Sequence, residues 1–180
     1  MIQRFTYTSL LIVFLIPVFA LAQKKSDSLV YDKCKERIKT VDTKLNYLKK
    51  KPYNYTDSYF FRAYNSKKDY IAFQLVKIKG KREIFLYVKS FTFNTCIRNG
   101  EVLEFMSETG ISHSLDNEYQ PNCSGVAIIK LSKKDLNFLI NNPTISFMLF
   151  SFQKDYEFHL TEEVATRLRE DLICLRDSKF

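Results

Sequence analysis

Apolar positions between Tyr59 and Ser107 come in short aromatic and β-branched runs cut by turn signals, which is the pattern of strands. Strands are predicted over residues 59–64, 70–79, 83–89, 91–98 and 101–107. Ile84-Phe85-Leu86-Tyr87-Val88 is apolar at both parities, as in a strand covered on both faces, and is expected to be central. Asn99-Gly100 fits a two-residue hairpin turn that pairs Arg98 with Glu101, Ile97 with Val102 and Cys96 with Leu103. In that register Glu104 falls among apolar neighbours, where a carboxylate could have a raised pKa and serve as a general acid.

Upstream, Val30, Cys34, Ile38, Val41, Leu45 and Leu48 recur every three or four residues, predicting one amphipathic helix over residues 26–51 stopped by Pro52. Downstream, residues 108–122 read as one long polar loop. A further strand follows over residues 125–131. Ser132-Lys-Lys-Asp135 resembles a capping box opening a short helix that ends at Pro143. Strands over 144–152 and 156–160 and a last helix capped by Thr161 complete the chain. This order predicts an α+β domain: a mostly antiparallel sheet of about seven or eight strands with an N-terminal, a short middle and a C-terminal helix packed on it.

Residues 1–22 stand apart. Arg4, an apolar run broken by Pro17, and Ala20-Leu21-Ala22 match a secretory signal peptide, which places a single domain over residues 23–180 in the periplasm or outside the cell. The run is too short and interrupted for a membrane span, and no later segment is apolar enough to be one. Export changes the reading of the four cysteines, because an oxidising compartment favours disulfides. Cys34 with Cys174 and Cys96 with Cys123 are the preferred pairs. None lies in the close spacing of a zinc or redox site, so neither metal nor cofactor is expected.

With 46% hydrophobic residues and four glycines the chain has the composition of a folded domain. Its net charge of +8 is unevenly placed: residues 1–90 hold 19 Lys and Arg against 7 Asp and Glu, and residues 91–180 hold 9 against 13. Lys33, Arg37 and Lys44 share a flank of the predicted first helix and form a candidate stripe for a polyanion. The lack of interleaved aromatics argues against nucleic acid. His113, with Glu108 and Asp116 nearby, marks the polar loop as a candidate site. Glu157 and His159 alternate with apolar residues and so share one face of a strand, a pair able to move a proton.

No nucleophile elbow, metal-ligand spacing or phosphate loop is present. The leading expectation is therefore an exported, non-catalytic binding or interaction domain for a protein or cell-envelope ligand. A small hydrolase using His113 or His159 with a carboxylate, and a polyanion binder using the basic stripe, are the alternatives. Partner identity and oligomeric state are left open by the sequence.

Overall fold

The computed structural model describes residues 34–41, 52–91, 95–117 and 120–178. Residues 37–180 form one compact unit. Of residues 1–36 only the helical stretch 34–36 is described, so the expected leader lies outside the described residues, as do Lys33 and Lys44. The α+β class is present, with its strands divided between two antiparallel sheets of six and four strands.

The larger sheet contains β1 (Lys39–Val41), β2 (Tyr53–Tyr55), β3 (Tyr59–Arg62), β4 (Tyr70–Ile78), β5 (Ile84–Ser90) and β8 (Val126–Leu131). The smaller contains β6 (Gly100–Ser107), β7 (Ser112–Asn117), β9 (Thr144–Leu149) and β10 (Tyr156–His159), in the order β10-β9-β6-β7. Two helices follow the later strands, α1 (Lys133–Asn141) and α2 (Glu162–Asp177). The strand that is apolar at both parities, β5, lies inside the sheet between β4 and β8, but only one of its faces is buried and the other, at Phe85, Tyr87 and Lys89, is half-buried.

β4 is long enough to hold two partners along one edge. Tyr59–Arg62 pairs with its first half and Tyr53–Tyr55 with its end. Thr56, fully buried, makes the step between them: its amide donates to the Leu75 carbonyl at 3.1 Å and its hydroxyl accepts from the Leu75 amide at 3.1 Å.

The core is aromatic where the sheets meet. Phe147 of β9 stacks on Phe158 at 4.8 Å and lies 4.7 Å from Phe73, 5.0 Å from Phe61 and 5.3 Å from Phe105. These offset and edge-on arrangements are the favourable ones for ring quadrupoles. Helix α2 lays Leu168, Leu172 and Leu175 into the core beside β4 and β9. Both predicted caps are made. The Ser132 hydroxyl accepts from the Asp135 amide and the Asp135 carboxylate accepts from the Ser132 amide, while Thr161 caps α2.

Three elements differ from expectation. The predicted helix over 26–51 does not run through: residues 34–37 are helical, but Lys39–Val41 is a strand paired with Tyr53–Tyr55. Thr40 and Val41 are β-branched, and Thr40 donates to the Asn54 side chain at 2.9 Å, so an available edge outweighs helical spacing. The helical turn that carries Arg37 therefore ends before Lys39.

Among the described residues the Asn99-Gly100 hairpin is also absent. β6 pairs with β7 and β9 instead, and Ile97 makes only isolated bridges to Asn122 and Ser151. The third difference explains the second, because the polar loop contains a strand. Ser112–Asn117 has buried Leu115 and Asn117 alternating with exposed residues, and it joins β6 through a turn at Glu108–Ile111 in which Gly110 has φ +79°.

Two disulfides are formed and no cysteine is free. Cys96 is bonded to Cys123, and Cys34 and Cys174 are disulfide-bonded as well. Gly125, two residues on from Cys123, is required by its position: φ is +70°, and a Cβ there would sit 3.0 Å from the Ser90 carbonyl oxygen. Among the described residues no helix is long and apolar enough to cross a membrane.

Candidate functional site

The two histidines lie in different surroundings. His113 sits on β7 with its side chain 10% exposed, stacked on Phe138 at 4.7 Å, and its Nε2 is 2.7 Å from Asp135 Oδ1. An ionised carboxylate can only accept, so Nε2 is the donor. The second Asp135 oxygen is taken by the Ser132 amide at 2.6 Å. Burial pushes the Asp135 carboxyl up, but the hydrogen bonds from His113 and Ser132 outweigh it and leave the pKa below the ordinary value. This unit pins the edge of the smaller sheet to α1.

Asp116, three residues on, is exposed and belongs to the same strand. His159 is exposed on β10, with Nε2 2.8 Å from Glu157 Oε1 and its ring 4.7 Å from that of Tyr64. The shared face predicted for Glu157 and His159 is thus present. Glu104 is half-buried on β6, opposite Ser114 and Met148.

Arg37 is committed inward. Its guanidinium pairs with Glu170, donates to the Arg167 carbonyl at 3.3 Å and places Nε 2.9 Å from Asp171 Oδ1. Asp171 is 1% exposed and accepts from the Tyr59 hydroxyl through its other oxygen. The Arg37 contact is an ion pair without hydrogen-bond alignment, so Oδ1 remains a buried acceptor without a donor. Burial, only partly opposed by Tyr59 and Arg37, pushes the Asp171 carboxyl up. Burial and then the Asp171 contact push the Tyr59 phenol well above its usual range.

Three of the concavities formed by the described residues have volumes of about 430, 510 and 660 Å³. No histidine lines any of them. The first lies between α1, α2 and the start of β9, with Glu108, Glu162 and Arg169 around Leu139, Ile145 and Leu160. The second borders Arg37 and the first turns of α2. Among the described residues no three His, Cys, Asp or Glu side chains converge as a metal-ligand set.

The feature that sequence reasoning missed is aromatic and outward-facing. Phe60 is 71% exposed, Phe91 48% and Tyr70 43%. They form one cluster on the outer face of the larger sheet, with Phe91 6.5 Å from Phe60 and 6.4 Å from Tyr70, ring centroid to centroid. Ala72 points to the same face between buried Ile71 and Phe73 and is opposite Phe60, yet it is only 7% exposed. Its small side chain gives the larger rings room to close over it. The signal was parity: in Tyr59-Phe60-Phe61 the outer two aromatics are buried, so the middle one must face out.

No protein-family model matches the chain, and no curated protein or solved structure matches it significantly.

Proposed function

We propose that the protein is exported and acts by binding rather than catalysis, engaging a protein or cell-envelope ligand through the outer face of the larger sheet around Phe60, Tyr70 and Phe91. The aromatic cluster is the observation that carries this reading. Large rings held on a rigid sheet lose little conformational freedom on contact and bury much apolar area, which is why aromatic residues dominate binding hot spots. Contiguous exposed apolar surface of this kind marks interaction sites.

The histidines support the same reading. His113 is held in the contact between sheet and helix, and His159 with Glu157 stands on an exposed strand outside the three concavities. Arg37 has its charge spent on Glu170 and Asp171, which takes it from the proposed basic stripe. Two disulfides suit an oxidising compartment. Export with cleavage after Ala22 predicts a mature chain beginning at Gln23, which the intact mass of protein recovered outside the cytoplasm would display.

The test of the surface is site-specific photo-cross-linking in the producing cells. A photoreactive phenylalanine analogue at Phe60 or Phe91 is expected to give one discrete adduct. The same probe at Phe152, an exposed ring outside the cluster, is expected to give none. Equal labelling at all three positions, or none at Phe60 and Phe91, would overturn the assignment.

A further inference from the structure

The turn between β4 and β5, the first turns of α1 and the end of α2 surround the depression of about 660 Å³. Lys77, Lys81, Arg82, Lys133 and Arg176 line it, with Asp177 as the acid among its lining residues. None of these belongs to the aromatic cluster.

The charges there do not cancel. Arg176 holds Asp177 through Nε at 2.7 Å and a second nitrogen at 2.9 Å, which engages both carboxylate oxygens. Lys77, 6% exposed, donates to the Leu175 carbonyl at 2.6 Å, the Ser178 carbonyl at 2.8 Å and the Ser178 hydroxyl at 3.3 Å. The Arg176 carbonyl stands at 3.5 Å as a further acceptor, so the Lys77 amine is engaged by the end of α2, while burial pulls its pKa down. Lys81 lies 3.5 Å from Glu83, whose other oxygen is 2.8 Å from Lys130. Arg82 and Lys133, both exposed, reach no acid among the described residues.

Like charges gathered in one concavity repel, and an anion placed among them relieves that repulsion. A guanidinium fork and an ammonium lining one depression offer donors that match the oxygens of a phosphate or sulfate group. The volume is that of a small-ligand site, for which the usual range is about 300–1,000 Å³. Leu136 and Asn137 provide an apolar and an amide wall for an uncharged body.

We propose that this depression binds a ligand carrying a phosphate or sulfate ester, with the anionic head held by Arg82 and Lys133. The test is titration of the mature protein, at two salt concentrations, with glucose 6-phosphate and with vesicles containing phosphatidic acid. The proposal expects saturable, salt-sensitive binding to at least one probe, and the probe that competes better assigns a soluble or a lipid source. Arg82→Ala with Lys133→Ala should weaken it at least about tenfold, the factor for one lost charge-assisted contact. Lys67→Ala with Lys68→Ala removes the same charge from an exposed turn outside the depression and should change it less than about twofold. Equal weakening by the two pairs would reduce the effect to net charge and overturn the site. Absence of saturable binding to both probes would do the same.

Discussion

Asp171 is a carboxylate kept out of water with one oxygen matched to the Tyr59 hydroxyl and the other beside Arg37 without a hydrogen bond. Its native pKa is raised, so the folded protein holds the proton more tightly than the unfolded chain, whose Asp pKa is about 3.9. That contribution to stability is complete below the unfolded value and is lost as pH rises through the native one. Asp171→Asn should therefore flatten the fall in stability from about pH 4 upward, which denaturant midpoints across pH would measure. Tyr59→Phe leaves the buried carboxylate without its donor and should cost roughly 1–3 kcal/mol. Asp135 has the opposite sign. Its pKa is lowered, so its stabilisation is present above the ordinary Asp value and disappears as pH falls through the native one. Phe147, in contact with four other rings, is the residue whose truncation to Ala should be most damaging, by roughly 3–5 kcal/mol in equilibrium unfolding.

At the scale of elements, the two caps and the hairpin of β6 with β7 show where local chemistry is decisive. Asp135→Ala removes the reciprocal half of the capping box and the partner of His113 together and is expected to cost about 1–2 kcal/mol. The Cys96–Cys123 bridge closes a 27-residue separation, for which chain entropy gives roughly 3–4 kcal/mol; replacing both cysteines by Ser should lower the unfolding midpoint accordingly. Elements with an uninterrupted apolar period were legible in the sequence: β4, β5, β8 and α1 fall within a residue or two of their predicted bounds, and α2 begins at its predicted cap. β7 was not, because one apolar residue, Leu115, is too little to reveal a period of two among serines and acids. β1 was hidden for a different reason. Ile38 and Val41 fit helical spacing equally well, and only the partner strand Tyr53–Tyr55 decides between the two.

For the whole molecule, antiparallel α+β character could be read from the chain, but the division into two sheets could not. It follows from long-range choices, chiefly that β6 joins β7 and β9 and, among the described residues, does not fold back on 95–98. Candidate sites suffered more than the fold. His113, His159 and Arg37 attract notice by residue type, and each is tied to a carboxylate neighbour. The exposed rings escape notice because an aromatic in a strand is read as core until its parity is checked against both neighbours. The central claim is that the aromatic face, and no histidine, makes the functional contact. Its most direct measurement is the binding isotherm of labelled mature protein on envelopes of the producing cells. Phe60→Ala with Phe91→Ala should weaken binding at least about tenfold, as expected when two hot-spot rings are lost, while His113→Gln and His159→Gln leave it within about twofold. Full binding by the aromatic variant, or its loss in a histidine variant that remains folded, would contradict the account.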